Sequence, residues 1–85
     1  MGRPVTVLLF ATARLAVGRA RLHRPVGADG VSVSSFVRSL GADYPNLAPV
    51  LRASRFVLNG RYLDRLSTRV RPGDEFAVHP PYGGG

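Results

Sequence analysis

Between Ser32 and Tyr44 the apolar side chains fall at Val33, Phe36, Val37, Leu40 and Tyr44, a spacing that lines one face of an α-helix. Ser32 stands where an N-cap belongs. Gly41 offers an end, and Pro45 forbids continuation. A helix of two or three turns is marginal by itself in water. Its stripe must therefore lie against something, and the flanking segments read as strands of a sheet.

Val5-Thr6-Val7-Leu8-Leu9-Phe10 is β-branched and apolar with almost no alternation, which fits a strand buried on both faces and central in its sheet. Ala11 to Gly18 is ambiguous, compatible with a turn of helix that ends at Gly18. Arg19 to Arg24 alternates polar and apolar, as a half-buried edge strand does, and Pro25 stops it. The first two strands would pair as a wide hairpin. Val26 to Gly30 is a loop, and Leu47 to Arg52 a short turn. Arg55 to Asn59 is a third strand, and Asn59-Gly60 is a strong hairpin signal leading into Arg61-Tyr62-Leu63. Leu66 to Val70 is another short extended piece. In Arg71-Pro72-Gly73-Asp74 proline fixes φ and glycine supplies a positive one, so the chain turns, with Asp74 capping the turn. Glu75 to His79 is the last strand. The order is β-β-α-β-β: an α+β fold, with one main helix packed on one face of a mixed sheet. There is no internal repeat and no linker, so residues 1–81 form one domain and residues 82–85 a flexible tail.

Charge and composition exclude several functions. The 85 residues carry a net charge of +7, and all twelve basic residues are arginine. The arginines are scattered from Arg3 to Arg71 without a basic run or interleaved aromatics, which argues for a solvated surface over a nucleic-acid site. With no lysine, the chain accepts no isopeptide bond on a side chain of its own. With no cysteine it has no disulfide, thiolate metal site or cysteine nucleophile. No apolar run reaches the roughly 18 residues that span a bilayer, and no signal-peptide pattern precedes Val5 to Ala11, so the expected location is cytoplasmic.

Catalytic constellations are equally scarce. His23 and His79 lie far apart, neither in metal-ligand spacing, and each reads as a surface strand residue. Asp74 and Glu75 are adjacent, and consecutive strand residues point to opposite faces, so they make a poor acid/base couple. The serines lack a base at recognisable spacing, and no glycine cluster lies between a strand and a helix to cradle phosphate. The chain instead ends on Tyr82-Gly83-Gly84-Gly85, a thread with no side chain beyond Tyr82 and a terminal carboxylate. From the glycines alone, a working tail and a frayed end or cloning scar are both open.

Two segments carry a family resemblance. Val7-Leu8-Leu9-Phe10-Ala11 followed by Arg14-Leu15-Ala16-Val17-Gly18 resembles the opening of the MoaD family, the small sulfur-carrier subunit of molybdopterin synthase within the MoaD/ThiS-type carriers. Pro72-Gly73-Asp74-Glu75-Phe76-Ala77-Val78-His79-Pro80-Pro81-Tyr82-Gly83-Gly84-Gly85 resembles its close, with Gly84-Gly85 as the family diglycine and Gly83 at a variable position. The resemblance implies a ubiquitin-like β-grasp fold. It implies that the chain has no catalytic residues and binds no cofactor of its own. An E1-like activating enzyme of the MoeB/ThiF type adenylates the Gly85 carboxylate with ATP, and sulfur replaces AMP to leave a thiocarboxylate. The loaded tail then enters a large subunit of the MoaE type, where sulfur passes to a pterin precursor. The partner-facing patch it implies is Phe10, Tyr62 and His79, with Pro80, Pro81 and Tyr82 at the tail's exit. Three features depart from the family pattern: His79 stands where a bulky hydrophobe is usual, Tyr82 replaces a smaller residue, and the charge is strongly positive.

Other readings remain beside that one. The carrier could serve thiamine, cysteine, tRNA or natural-product thiolation. A ubiquitin-like modifier would use the same activated tail to acylate a lysine on a target. A basic nucleic-acid module would not need the tail.

Overall fold

The structure, a computed structural model, describes residues 2–81. The element order is β1 (Val5–Leu9), α1 (Ala11–Val17), β2 (Arg21–Arg24), β3 (Val31–Ser32), α2 (Val33–Asp43), α3 (Ala48–Ala53), β4 (Arg55–Leu58), β5 (Arg61–Tyr62), β6 (Arg69–Val70) and β7 (Glu75–His79). Five strands form one sheet in the order β2-β1-β7-β4-β5, and β3 and β6 form a separate two-stranded ribbon. The first and last strands are neighbours at its centre and run parallel, with Val7 opposite Phe76 and Leu9 opposite Val78. The other pairings are antiparallel. This is the mixed-sheet, ubiquitin-like β-grasp arrangement, with the helical layer on one face.

The core lies between that face and α2. From the sheet come Val5, Val7, Leu9, Phe76 and Val78; from α2 come Val33, Phe36 and Leu40; Leu47 and Leu51 close the far end. The Phe76 ring meets Phe36 edge-on at 5.0 Å and lies 5.3 Å from Phe56. Strand alternation sends Phe76 and Val78 inward, and with them Val5, Val7 and Leu9 of β1. The intervening residues of β1 and β7 therefore line the opposite, open face.

Local signals explain most elements. Ser32 Oγ accepts a hydrogen bond from the Ser35 backbone N–H at 3.1 Å, the expected N-cap of α2. The Ala11 to Gly18 segment holds α1, Ala11–Val17, closed by Gly18 at φ 83° with its N–H donating to the Arg14 carbonyl at 2.7 Å. Asn59 and Gly60 both take positive φ, 50° and 85°, as a two-residue hairpin turn between β4 and β5 requires. The Asp74 carboxylate accepts from the Arg71 backbone N–H at 2.8 Å and so closes the turn into β7.

Four expectations are corrected. Gly41 does not end the main helix, which runs on to Asp43 and is capped by Tyr44. Its role is contact: a Cβ at Gly41 would lie 3.3 Å from the Ala48 Cβ, so the missing side chain lets α3 close on α2. Leu47 to Arg52 is no simple turn, because Ala48–Ala53 is helical with a proline in its first turn. The second strand begins at Arg21 rather than Arg19; the Ala20 carbonyl still accepts from the Leu9 N–H at 2.8 Å. Leu66 to Val70 is extended only over Arg69–Val70, which pairs with β3, a strand the Val26 to Gly30 loop leads into.

Candidate docking face

The open face of the sheet is laid out by register. Tyr62 pairs with Val57, Val57 with Ala77, Ala77 with Leu8 and Leu8 with Arg21, so these five residues cross the sheet as one row. One step along β7 lies His79, which pairs with Arg55. The middle of the first row is apolar and largely covered by its neighbours.

Phe10 completes the arrangement. It follows β1 in extended conformation, φ −119° and ψ 154°, so the alternation that puts Thr6 and Leu8 on the open face carries Phe10 there too. The next residue, Ala11, takes φ 49°, a left-handed value that costs a non-glycine residue of order 1–2 kcal/mol. That bend starts α1 at once and leaves Phe10 at the sheet's rim. Its ring stacks on His79 with centroids 4.7 Å apart and an interplanar angle of 21°. The Tyr62 ring lies 6.2 Å from His79 on the other side. Phe10 is 44% exposed and Tyr62 61%, so neither is a core residue.

Of the predicted site residues, Phe10, Tyr62 and His79 thus come together from three elements far apart in sequence. Pro80, half-buried, and Pro81, exposed, lead the chain away from the end of β7 beside them. Tyr82, Gly83, Gly84 and Gly85 lie outside the described residues. His23 sits exposed on β2 as expected of a surface strand residue, whereas His79 is half-buried between aromatic neighbours. Among the described residues no group of three His, Cys, Asp or Glu side chains could hold a metal ion.

One member of the patch was missed by sequence reasoning. Arg55 places its guanidinium carbon 4.8 Å from the Tyr62 ring centroid, in cation–π contact. No local signal marks it: its position follows only from the pairing of β4 with β7. The signal that could have found it is the alternation of Arg55 and Val57 once β4 is set antiparallel to β7.

An aromatic patch on the open sheet face, at the root of a glycine-ended tail, on a β-grasp scaffold defines a small ubiquitin-like carrier or modifier. Residues 7–85 match the ThiS family, and the chain belongs to that family. The solution structure of the Haloferax volcanii HVO 2177 protein is similar with a TM-score of 0.79 and 32% identity, over 98% of this chain and 87% of that one. The small archaeal modifier protein 1 (SAMP1) of Methanosarcina acetivorans is similar with a TM-score of 0.78 and 27% identity, over 100% and 99% of the two chains. A chain in the complex of subunits 1 and 2 of the Helicobacter pylori molybdopterin-converting factor shares the fold, with a TM-score of 0.67 and 22% identity over 95% and 97%. A comparison with curated proteins finds no match.

Proposed function

We propose that this chain is a sulfur carrier loaded at the Gly85 carboxylate, with Phe10, Tyr62 and His79 seating the enzymes that load and unload it. The observation that carries the reading is the convergence of those three rings beside the strand that runs into the tail, in a chain of the ThiS family. Burial of such rings is a common anchor of protein interfaces. The chemistry belongs to partners. An E1-like activating enzyme uses ATP: the carboxylate oxygen attacks the α-phosphorus, pyrophosphate leaves, and the acyl adenylate forms. Hydrosulfide then attacks the acyl carbon and expels AMP, losing its proton and leaving the thiocarboxylate. A thread without side chains suits delivery into a narrow, water-poor acceptor site. The acceptor we favour is a pterin precursor held by a large subunit of the MoaE type, and the likeness of fold to the molybdopterin-converting factor chain supports it. The complex there pairs two subunits, which is the kind of partnership this reading requires.

A second reading has an observation of its own. A small archaeal modifier protein is 27% identical along the whole chain. On that reading the same activated tail acylates lysines of target proteins, and each attached copy adds no side-chain lysine for further extension.

Co-expression with the activating enzyme of the same organism, followed by intact-mass measurement, tests the shared step. The carrier reading expects a labile gain equal to one sulfur-for-oxygen exchange, confined to the C-terminal peptide. An unchanged mass in the presence of competent enzyme and ATP overturns it. Isopeptide-linked conjugates of a tagged chain in denatured lysate would select the modifier reading instead.

A further inference from the structure

We propose that Arg55 sets the specificity of the docking face, and that the activating enzyme presents a carboxylate to it within an otherwise apolar contact. The inference rests on the carrier reading above, which supplies that partner. Arg55 lies directly opposite His79, the last strand residue before the tail leaves the fold. Its guanidinium carbon lies 4.8 Å from the Tyr62 ring centroid, with the head stacked on the ring although Arg55 is exposed. A planar head held this way loses little freedom when it takes up a bidentate carboxylate.

Among the described residues no acid pairs with it. Among the described residues the ion pair is Arg24 with Asp43, on the helical side. Asp64, two residues past Tyr62, forms no ion pair with Arg55. Glu75 shares this face of β7 but sits four residues from His79, roughly 13 Å along the strand. A partner surface laid over Phe10, His79 and Tyr62 must therefore strip water from Arg55. An apolar partner would leave the charge buried and unpaired, which is strongly unfavourable; a carboxylate removes that penalty.

The test uses the full chain as varied substrate for the activating enzyme of the same organism, read by ATP–pyrophosphate exchange. Arg55→Glu raises KM roughly tenfold or more and leaves kcat nearly unchanged. Arg55→Lys gives a smaller rise, because lysine keeps the charge and loses the planar stack. Arg38→Glu, on α2 away from this face, leaves KM at the wild-type value. Three results overturn the assignment. An Arg55→Glu value close to wild type, while Phe10→Ala weakens binding, overturns Arg55 alone and leaves the carrier reading standing. Equal losses for Arg55→Glu and Arg38→Glu reduce the effect to overall charge. A wild-type chain that is never adenylated overturns the carrier reading, and this one with it.

Discussion

At the scale of single residues, two rings three positions apart divide the molecule's work. Phe76 is fully buried against Phe36 and Phe56, while His79 faces out beneath Phe10. Truncating a core side chain removes apolar contact and leaves a cavity. Leu40→Ala is thus expected to cost about 2–5 kcal/mol in urea unfolding. A loss near zero would show that the α2 stripe does not pack on the sheet. Tyr62→Ala on the open face is expected to stay within about 0.5 kcal/mol of wild type, as surface changes usually do, while weakening partner binding. Ala11 reverses the ordinary rule for glycine. Glycine normally costs about 0.5–1 kcal/mol relative to alanine inside a helix. At φ 49° the alanine bears the strain, so Ala11→Gly should leave stability equal or higher. A clear loss in thermal or urea unfolding would contradict that geometry.

At the scale of elements, what was readable in the sequence divides by the range of the forces involved. The α2 stripe, its Ser32 cap, the Asn59-Gly60 hairpin and the turn closed by Asp74 each depend on residues within one turn or one loop, and each is where the residues place it. The short helix α3 was not readable, because six residues are too few for a period to emerge. The β3–β6 ribbon was not readable either: two-residue strands carry little pattern, and Ser32 finds Arg69 only through the finished fold. Gly41 looked like a helix stop because the helix that needs its empty side lies elsewhere in the chain. The patch was legible through family resemblance at Phe10, Tyr62 and His79; Arg55 required the sheet register. Removing the cap in Ser32→Ala is expected to cost about 1 kcal/mol, measured by chemical denaturation. Gly30→Ala should cost more. Gly30 has φ 75°, and an added Cβ would fall 2.4 Å from the Val70 carbonyl oxygen, forcing the ribbon apart. An unchanged unfolding midpoint in Gly30→Ala would mean the ribbon is dispensable.

At the scale of the whole molecule, the described residues enclose a core of their own. Every buried apolar residue of the described chain lies between Val5 and Val78. Residues 83–85 are glycines with no side chain to bury, so deleting them is expected to leave the thermal midpoint unchanged while abolishing the proposed loading by the activating enzyme; a marked drop in the midpoint would make the tail part of the scaffold. The central pairing has a further consequence for how the protein is made. The first strand pairs with β2 on one side, but its parallel partner on the other is β7, the last, and the Phe10–His79 stack needs both. A chain still emerging from the ribosome, or one cut short by a premature stop, has no complete sheet and no docking face. If the proposed carrier reading holds, an activating enzyme that reads that face is shielded from unfinished copies: the topology inspects each chain for completeness before any ATP is spent on its end.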